Sequence, residues 1–243
     1  MALDEPEEDA VAAWTAEFPI TRRWPPQRAG VIQLYSYPTP NGIKVAVALE
    51  EMGLPYEAHR VTLADADVKS PEFLSLNPNN KIPAIVDPNG PDGPLGLFES
   101  GAILIYLAGK SGKFGGNSEA ERARVTQWLM WQMGGLGPML GQMGYFEKFA
   151  GAQIEDPRPR ARYVGEARRL LGVVETALEG REWIAGPYSI ADMAIGPWVR
   201  AIDGYGARPV VEWERFPRTG AYLERFLARP AVARALDIPS RTG

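Results

Sequence analysis

The order of strand-like and helix-like segments between residues 31 and 110 restricts the fold of this chain more than any other feature. The segments are a strand VIQLYSY, a helix NGIKVAVALEEMG, a strand YEAHRVTL, a short helix SPEFLSLN, strands PAIVD and LGLFE, and a helix SGAILIYLAGK. Apolar residues alternate in the strands and recur every three to four residues in the helices. We therefore predict a βαβ unit followed by a ββα unit.

The pattern changes after the glycine-rich stretch SGKFGGN, where strand-like runs stop and helical periodicity continues from Glu119 to about Leu236. We predict four segments: an amino-terminal extension at 1–30, an α/β domain at 31–110, a linker at 111–118 and an all-α domain at 119–243. The extension is rich in proline and tryptophan, which favours an arm that lies against another part of the protein. The predicted class is thus α/β plus all-α.

Charge and hydropathy exclude several kinds of partner. The net charge is −4 and no block of lysine or arginine is present, so we expect binding neither to nucleic acid nor to a membrane surface. No apolar run approaches the roughly 18 residues that a membrane-spanning helix needs. The acidic start MALDEPEEDA is unlike a signal peptide, and we expect a soluble, cytoplasmic protein.

The chain contains no cysteine and a single histidine, His59. This composition excludes disulfides, thiolate metal sites and a protein thiol as nucleophile, and we expect no metal. Any sulfur chemistry must therefore come from a ligand.

Four short motifs in the first domain suit an extended, charged, peptide-like ligand. Thr39 is placed as the N-cap of the first helix, with Pro40 at its first position, although this is also an ordinary helix start. A cis Ile82–Pro83 bond would turn the Ile82 backbone towards a ligand, and a trans proline at a strand start is the alternative. The other two motifs are charged or polar.

Glu99 and Ser100 stand at the entry to the helix GAILIYLAG. Ser100 and the free amides of this helix suit a ligand carboxylate, and Glu99 suits a ligand ammonium, although this too can be an ordinary helix start. Lys81 can bind a second ligand carboxylate. The alternative is that Lys81 is an ordinary solvated surface lysine.

Several motifs resemble those of glutathione transferases. LYSYPTPNGIKVAVALEEMGLPYE, NPNNKIPAIVD and LFESGAILIYLA look like the amino-terminal half of such an enzyme, and WLMWQMGGLGPMLGQ and YSIADMAIGPWV look like the carboxyl-terminal half. TPNG, NNKIPAI and WQMGGLGPMLGQ together are similar to the bacterial Nu class, the disulfide-bond oxidoreductase-like members. The resemblance covers residues 31 to about 236.

The resemblance implies a thioredoxin-like domain, an all-α domain and a homodimer that binds glutathione or glutathione disulfide. Thr39 and Asn41 would surround the glutathione sulfur as the catalytic residues, and Glu99 with Ser100 would bind the γ-glutamyl end. The glutathione-binding residues it implies are Thr39, Asn41, Lys81, Ile82, Pro83, Glu99 and Ser100. The loop before PEFL departs from the family pattern, because Val68 stands near the place where many relatives have glutamine.

Two further groups of aromatic and apolar residues have candidate roles. Tyr35 and Tyr37 lie near the end of the first strand, on one face with Val31 and Gln33, which favours packing over catalysis. An apolar or disulfide acceptor would lie where the first long helix of the second domain faces the first domain. The candidates for this acceptor site are Trp131, Met139, Met143, Tyr145, Phe146 and Trp198.

The leading functional hypothesis is a glutathione-dependent thiol–disulfide oxidoreductase in which glutathione supplies the thiolate and Thr39 and Asn41 stabilise it. One alternative is glutathione-dependent cleavage of β-aryl ethers, or conjugation of apolar electrophiles. The other is a non-catalytic binding protein that has kept the fold.

Overall fold

The computed structural model describes residues 13–241, and these residues form two compact units. The first unit comprises residues 13–107 and 234–241, and the second comprises residues 108–233. The segment from 234 to 241 thus packs with the α/β unit, although it follows the helical residues in sequence. Residues 1–12 of the predicted extension and residues 242–243 lie outside the described part of the chain.

The first unit contains a mixed sheet of four strands among its described residues. The strands are β1 (Ile32–Ser36), β2 (Tyr56–Arg60), β3 (Ala84–Asp87) and β4 (Leu95–Phe98), and the helices are α1 (Pro40–Met52), α2 (Asp65–Val68), α3 (Pro71–Leu76) and α4 (Ser100–Ser111). The strand order is β2-β1-β3-β4. β1 and β2 are parallel, whereas β3 is antiparallel to both β1 and β4. The predicted βαβ and ββα units are therefore confirmed.

Helix α1 is the crossover between the two parallel strands, and it is buried on nearly every side. All residues from Gly42 to Leu49 are buried. The helix ends at Gly53, whose φ of 69° is left-handed, a conformation that glycine adopts without steric cost. The buried stretch from Gly42 to Leu49 includes one charged side chain, that of Lys44.

Residues 13–30 pack against the rest of the first unit. Trp14 and Ile20 are buried in its core, and Trp24 forms edge contacts with Tyr35 and Phe73. The Trp24 indole N–H also donates to the Arg60 carbonyl at 3.1 Å. This part of the predicted extension thus has a 3₁₀ turn at Pro19–Arg22 and covers one face of the sheet.

The second unit is helical throughout its described residues. Its helices are α5 (Glu119–Trp131), α6 (Gly137–Lys148), α7 (Pro157–Ala177), α8 (Ile190–Tyr205), α9 (Arg208–Val211), α10 (Pro217–Leu227) and α11 (Pro230–Ala235), the last of which runs on into the first unit. A π-helical segment at Gln132–Leu136 joins α5 to α6. Glycines and a proline surround this segment, and the chain stays helical through it and widens by one π turn.

Helix α8 is the central helix of the second unit, with its residues from Ile190 to Val199 all buried. It begins with the capping box that the motif YSIADM indicates, between Ser189 and Asp192. Asp192 Oδ2 accepts from the Ser189 N–H at 3.0 Å, and Oδ1 accepts from the Ile184 N–H at 3.0 Å. The motif therefore stabilises the fold.

Candidate functional site

Three chain segments that flank the strands meet at one edge of the sheet. Tyr35 in β1 is paired with Ala84 at the amino end of β3, and Ala84 is also paired with Phe98 at the carboxyl end of β4. The loop after β1, the residues before β3 and the residues after β4 therefore lie side by side. Neighbouring strands are about 4.8 Å apart, so the ends of β1 and β4 are separated by about 10 Å, roughly the length of three extended residues.

Thr39 begins α1 at this edge. Its Oγ1 accepts a hydrogen bond from the Gly42 N–H at 3.3 Å, as expected of an N-cap. This bond uses a lone pair of the oxygen and leaves the hydroxyl proton available for another acceptor. Thr39 and Asn41 are both partly exposed. They thus place a hydroxyl and an amide side chain at the positive end of a helix dipole.

The preceding loop is held in place from the carboxyl-terminal segment. The Arg241 guanidinium donates to the Pro38 carbonyl at 2.9 Å, and the Arg241 carbonyl accepts from the Arg60 guanidinium at 2.7 Å. Residues that follow the helical unit in sequence therefore brace the loop that positions Thr39.

Glu99 and Ser100 begin α4 at the same edge. The Glu99 carbonyl accepts the first helical hydrogen bond, from the Ile103 N–H at 2.9 Å, which places Glu99 at the N-cap position. Its φ of 71° is left-handed, which is uncommon for a residue other than glycine. The Glu99 side chain is exposed, whereas Ser100 is 3% exposed. A carboxylate and a hydroxyl therefore lie at a second helix start.

Ile82 and Pro83 lead into β3 between these two helix starts. The Ile82–Pro83 peptide bond is cis, and both residues are buried. Lys81 is exposed beside them, and its carbonyl accepts from the Asn77 amide at 2.5 Å. The structure therefore brings all seven of the predicted glutathione-binding residues to one edge of the sheet.

Lys44 is a residue of this region that the sequence reasoning did not single out. It lies in α1, is 0% exposed, and its ammonium Nζ is 3.3 Å from Ser100 Oγ. Burial lowers the pKa of Lys44 to about 7, and the nearby Glu99 carboxylate opposes this shift. The sequence signal that could have identified Lys44 was the position of a lysine within the otherwise apolar run IKVAVAL.

Tyr35 and Val68 are packing residues. Tyr35 is 0% exposed, and its ring stacks on His59 with 4.8 Å between centroids. Burial raises the pKa of the Tyr35 hydroxyl, which makes it a poor source of a phenolate. Val68 is 7% exposed and belongs to the core of the first unit. Tyr37 is partly exposed and packs against the same core.

The residues expected to line the acceptor site differ in burial within the helical unit. Met143 and Trp198 belong to its core, at 0% and 8% exposure. Trp131 and Met139 are partly buried against this core, Phe146 stacks on Tyr163 with 5.5 Å between centroids, and Tyr145 is 41% exposed. Burial therefore favours Trp131, Met139, Tyr145 and Phe146 as surface contacts over the two core residues.

Residues 13–241 contain neither a metal-binding cluster nor a membrane-spanning helix. No group of three or more of their histidine, cysteine, aspartate or glutamate side chains is arranged to hold a metal ion. Among the described helices, none combines the length and the apolar character that crossing a bilayer requires.

Comparison with known proteins gives the relationships of the chain. Residues 30–109 match the family described as Glutathione S-transferase, N-terminal domain. The chain is 47% identical over 209 residues to disulfide-bond oxidoreductase YfcG of Escherichia coli, covering 85% of this chain and 94% of that protein.

Solved structures agree with this relationship. A glutathione transferase from Pseudomonas putida, with one glutathione disulfide bound per subunit, has a TM-score of 0.91 and 56% identity, over 93% of this chain and 99% of that one. A glutathione transferase from Burkholderia graminis, with two glutathione molecules bound per subunit, has a TM-score of 0.91 and 59% identity, over 93% and 95%. This chain therefore belongs to the glutathione transferase family of enzymes, among its disulfide-bond oxidoreductase-like members.

Proposed function

We propose that this enzyme is a glutathione-dependent thiol–disulfide oxidoreductase in which bound glutathione supplies the reacting thiolate. The observation that supports this most is the meeting of two helix starts and the residues before β3 at one sheet edge. The relatives add support, because YfcG is called a disulfide-bond oxidoreductase and two related structures contain glutathione or its disulfide.

Thr39 and Asn41 stabilise the sulfur anion in this proposal. Lowering a thiol pKa from about 8.5 to about 6.5 requires a preference of roughly 2.7 kcal/mol for the thiolate. A helix start typically supplies about 0.3 to 1 kcal/mol and at best ~2 kcal/mol. One hydrogen bond to a charged acceptor contributes about 1.5 to 3 kcal/mol, which supplies the rest of the preference for the thiolate. The Thr39 hydroxyl and the Asn41 amide are the proposed donors.

The rest of the tripeptide would bind along the same edge. The Ile82 backbone, held by the adjoining Pro83, pairs with the cysteinyl backbone, and Glu99 with Ser100 binds the ammonium and carboxylate of the γ-glutamyl end. Lys81 is exposed beside Ile82 and binds the glycine carboxylate. The roughly 10 Å between the ends of β1 and β4 suits a ligand of this length.

The reaction then needs no protein thiol. A glutathione thiolate attacks one sulfur of a disulfide, forms a mixed disulfide and expels the other half as a thiolate. A second glutathione thiolate attacks the mixed disulfide, which yields glutathione disulfide and the second substrate thiolate. Two glutathiones thus lose the two electrons that the substrate disulfide gains.

The test is the double variant Thr39→Ala/Asn41→Ala, assayed for reduction of a small symmetric disulfide by glutathione. Loss of a charge-assisted hydrogen bond predicts a turnover about 10-fold to 150-fold lower. Thermal unfolding should show only the loss of an N-cap, about 1 kcal/mol. Thr39→Ser, which keeps the hydroxyl, is the matched control and should retain most activity. Unchanged turnover in the double variant would contradict the proposal.

The two alternatives predict different outcomes. Cleavage of a model β-aryl ether without reduction of the disulfide would favour the thioether-forming reaction. Failure of the wild-type protein to be retained on immobilised glutathione would favour a non-catalytic binding protein. The acceptor site, in either enzymatic case, is proposed at Trp131, Met139, Tyr145 and Phe146, with Met143 and Trp198 behind them in the core.

A homodimer is also proposed. Large apolar side chains are exposed on the first unit at Phe98 and Ile105, and on the second at Met130. Exposed apolar side chains mark a partner surface where they form a contiguous patch, and we propose that these three contribute to one. Sedimentation equilibrium tests this proposal, and a monomer mass would contradict it. The cytoplasmic location stays a prediction.

A further inference from the structure

Lys44 is a charged side chain in a position where a charge is costly. Every residue of α1 from Gly42 to Leu49 is buried, and Lys44 itself is 0% exposed. Removing an ammonium from water costs several kcal/mol unless other charges and hydrogen bonds compensate for it. An apolar residue at this position would avoid the cost, so the ammonium requires a reason other than packing.

The surroundings of Lys44 indicate that reason. Its Nζ lies 3.3 Å from Ser100 Oγ, and the Glu99 carboxylate is close enough to favour the charged form of the lysine. Both residues belong to the start of α4. Lys44 therefore places a positive charge beneath the helix start at which the γ-glutamyl end of glutathione is proposed to bind.

The hydrogen bond between Lys44 and Ser100 has a direction. In its protonated form, which the Glu99 carboxylate favours, Lys44 has three donors and no acceptor, so the serine oxygen accepts from it. Ser100 can then act towards a ligand as a donor, through its single hydroxyl proton, and a donor that is itself polarised by a charge forms a stronger hydrogen bond. This arrangement gives Ser100 the role that a ligand carboxylate requires.

We propose that Lys44 is a positioning residue that orients Ser100 as a donor and supplies the charge that selects ligands with an α-carboxylate on the γ-glutamyl residue. This inference rests on the proposed binding of glutathione at Glu99 and Ser100.

Charge balance at the start of α4 supports the same role. Glu99 and the ligand carboxylate are both anionic there, and a helix start contributes only about half a positive charge. The ligand ammonium can pair with Glu99, which leaves the ligand carboxylate without a full counter-charge. Lys44 supplies that counter-charge from the protein interior. The two positive groups, Lys44 and the ligand ammonium, then balance the two negative ones, Glu99 and the ligand carboxylate. Without Lys44, most of the preference for a ligand that carries the α-carboxylate should be lost, because the Ser100 hydroxyl and the helix start supply only a partial positive charge.

The test compares two ligands by isothermal titration calorimetry: S-methylglutathione, and its analogue with 4-aminobutyryl in place of γ-glutamyl. The analogue lacks only the α-carboxylate, and the methyl group removes thiol ionisation from the measurement. Wild-type protein should bind S-methylglutathione about 10-fold or more tightly than the analogue. Lys44→Met, similar in length and uncharged, should lose this preference through weaker binding of S-methylglutathione. Equal weakening of both ligands, or a retained preference, would overturn the proposal.

Further variants separate this role from a purely structural one. Lys44→Met should unfold at the same temperature as wild type or higher, because it removes a buried charge. Ser100→Ala should bind S-methylglutathione more weakly than wild type and more tightly than the double variant Lys44→Met/Ser100→Ala, because Lys44 acts on the ligand carboxylate both through Ser100 and through its own charge. Lys81→Met is the matched control, and it should weaken both ligands to the same degree.

Further outcomes of the calorimetry distinguish failure of the proposed function from failure of the Lys44 role. Lys44→Gln replaces Lys44→Met if the latter does not fold, and it should lose the same preference. Wild-type protein that binds neither ligand would refute the proposed function itself. Wild-type protein that prefers S-methylglutathione, together with a Lys44 variant that keeps this preference, would refute only the role of Lys44.

Discussion

Replacing Asp192 by asparagine should change the stability of the helical unit by an amount that depends on pH. Asp192 is 0% exposed and accepts hydrogen bonds from the Ile184 and Ser189 N–H groups and from the Ser189 hydroxyl. Burial raises the pKa of its carboxyl from 3.8 to about 6, and these hydrogen bonds only partly oppose the rise. The folded protein therefore holds this proton more tightly than the unfolded chain does.

The sign of the effect follows from proton linkage. Between pH 3.8 and about 6 the folded state binds more protons than the unfolded state, so the free energy of unfolding falls as pH rises through this window. A pKa rise of about 2 units corresponds to roughly 3 kcal/mol, most of it lost between pH 4 and pH 7. The asparagine side chain of the variant does not titrate in this range. The destabilisation caused by Asp192→Asn should therefore be about 2 to 3 kcal/mol larger at pH 4 than at pH 7.

The assay is urea-induced unfolding of the wild-type protein and the variant at several pH values from 4 to 7, followed by tryptophan fluorescence. Leu171→Ala is the control, because Leu171 is buried in the same unit and has no titratable group. It should cost about 2 to 5 kcal/mol at every pH. A stability difference for Asp192→Asn that is constant, or that grows with pH, would refute the reasoning.

Two further predictions concern glycines near the functional site and in the helical core. A Cβ at Gly42 would overlap the Tyr37 carbonyl oxygen, so Gly42→Ala should weaken binding of S-methylglutathione in calorimetry and lower stability by more than about 1 kcal/mol. Gly53→Ala is its control: no atom lies within 4 Å of the added Cβ, so only the strain of φ 69° should cost about 1 kcal/mol, with binding unchanged. Gly196→Ala would place a Cβ 2.6 Å from the buried Phe226 ring and should cost about 1 to 3 kcal/mol in urea unfolding, and wild-type stability in this variant would contradict the packing argument.

Local sequence patterns predicted most of the elements, because their hydrogen bonds and burial periods involve residues close in sequence. The predicted strand VIQLYSY corresponds to Ile32–Ser36, and the predicted helix NGIKVAVALEEMG corresponds to Pro40–Met52. The predicted cap at Thr39 is also present, since an N-cap depends on side chains and amides within about three residues.

Features that depend on distant residues were not predicted in the same detail. Glycines such as those of Gln132–Leu136 lower helix propensity locally, but packing decides whether a helix breaks or, as here, gains a π turn. Residues 234–241 follow the helical unit in sequence and nevertheless belong to the first unit, where Arg234 pairs with Glu50 at 2.6 Å. Such contacts have no local pattern.

The candidate site shows the same division. By itself, the sequence determined the chemistry at each position: a hydroxyl and an amide at one helix start, a carboxylate and a hydroxyl at another, and a proline leading into a strand between them. Only the tertiary structure decided that these segments share one sheet edge, because the antiparallel pairing of β3 with β1 and β4 aligns their ends. It also decided the role of Lys44, because a buried charge acquires its function from the residues packed around it, and Ser100 lies 56 positions away in sequence.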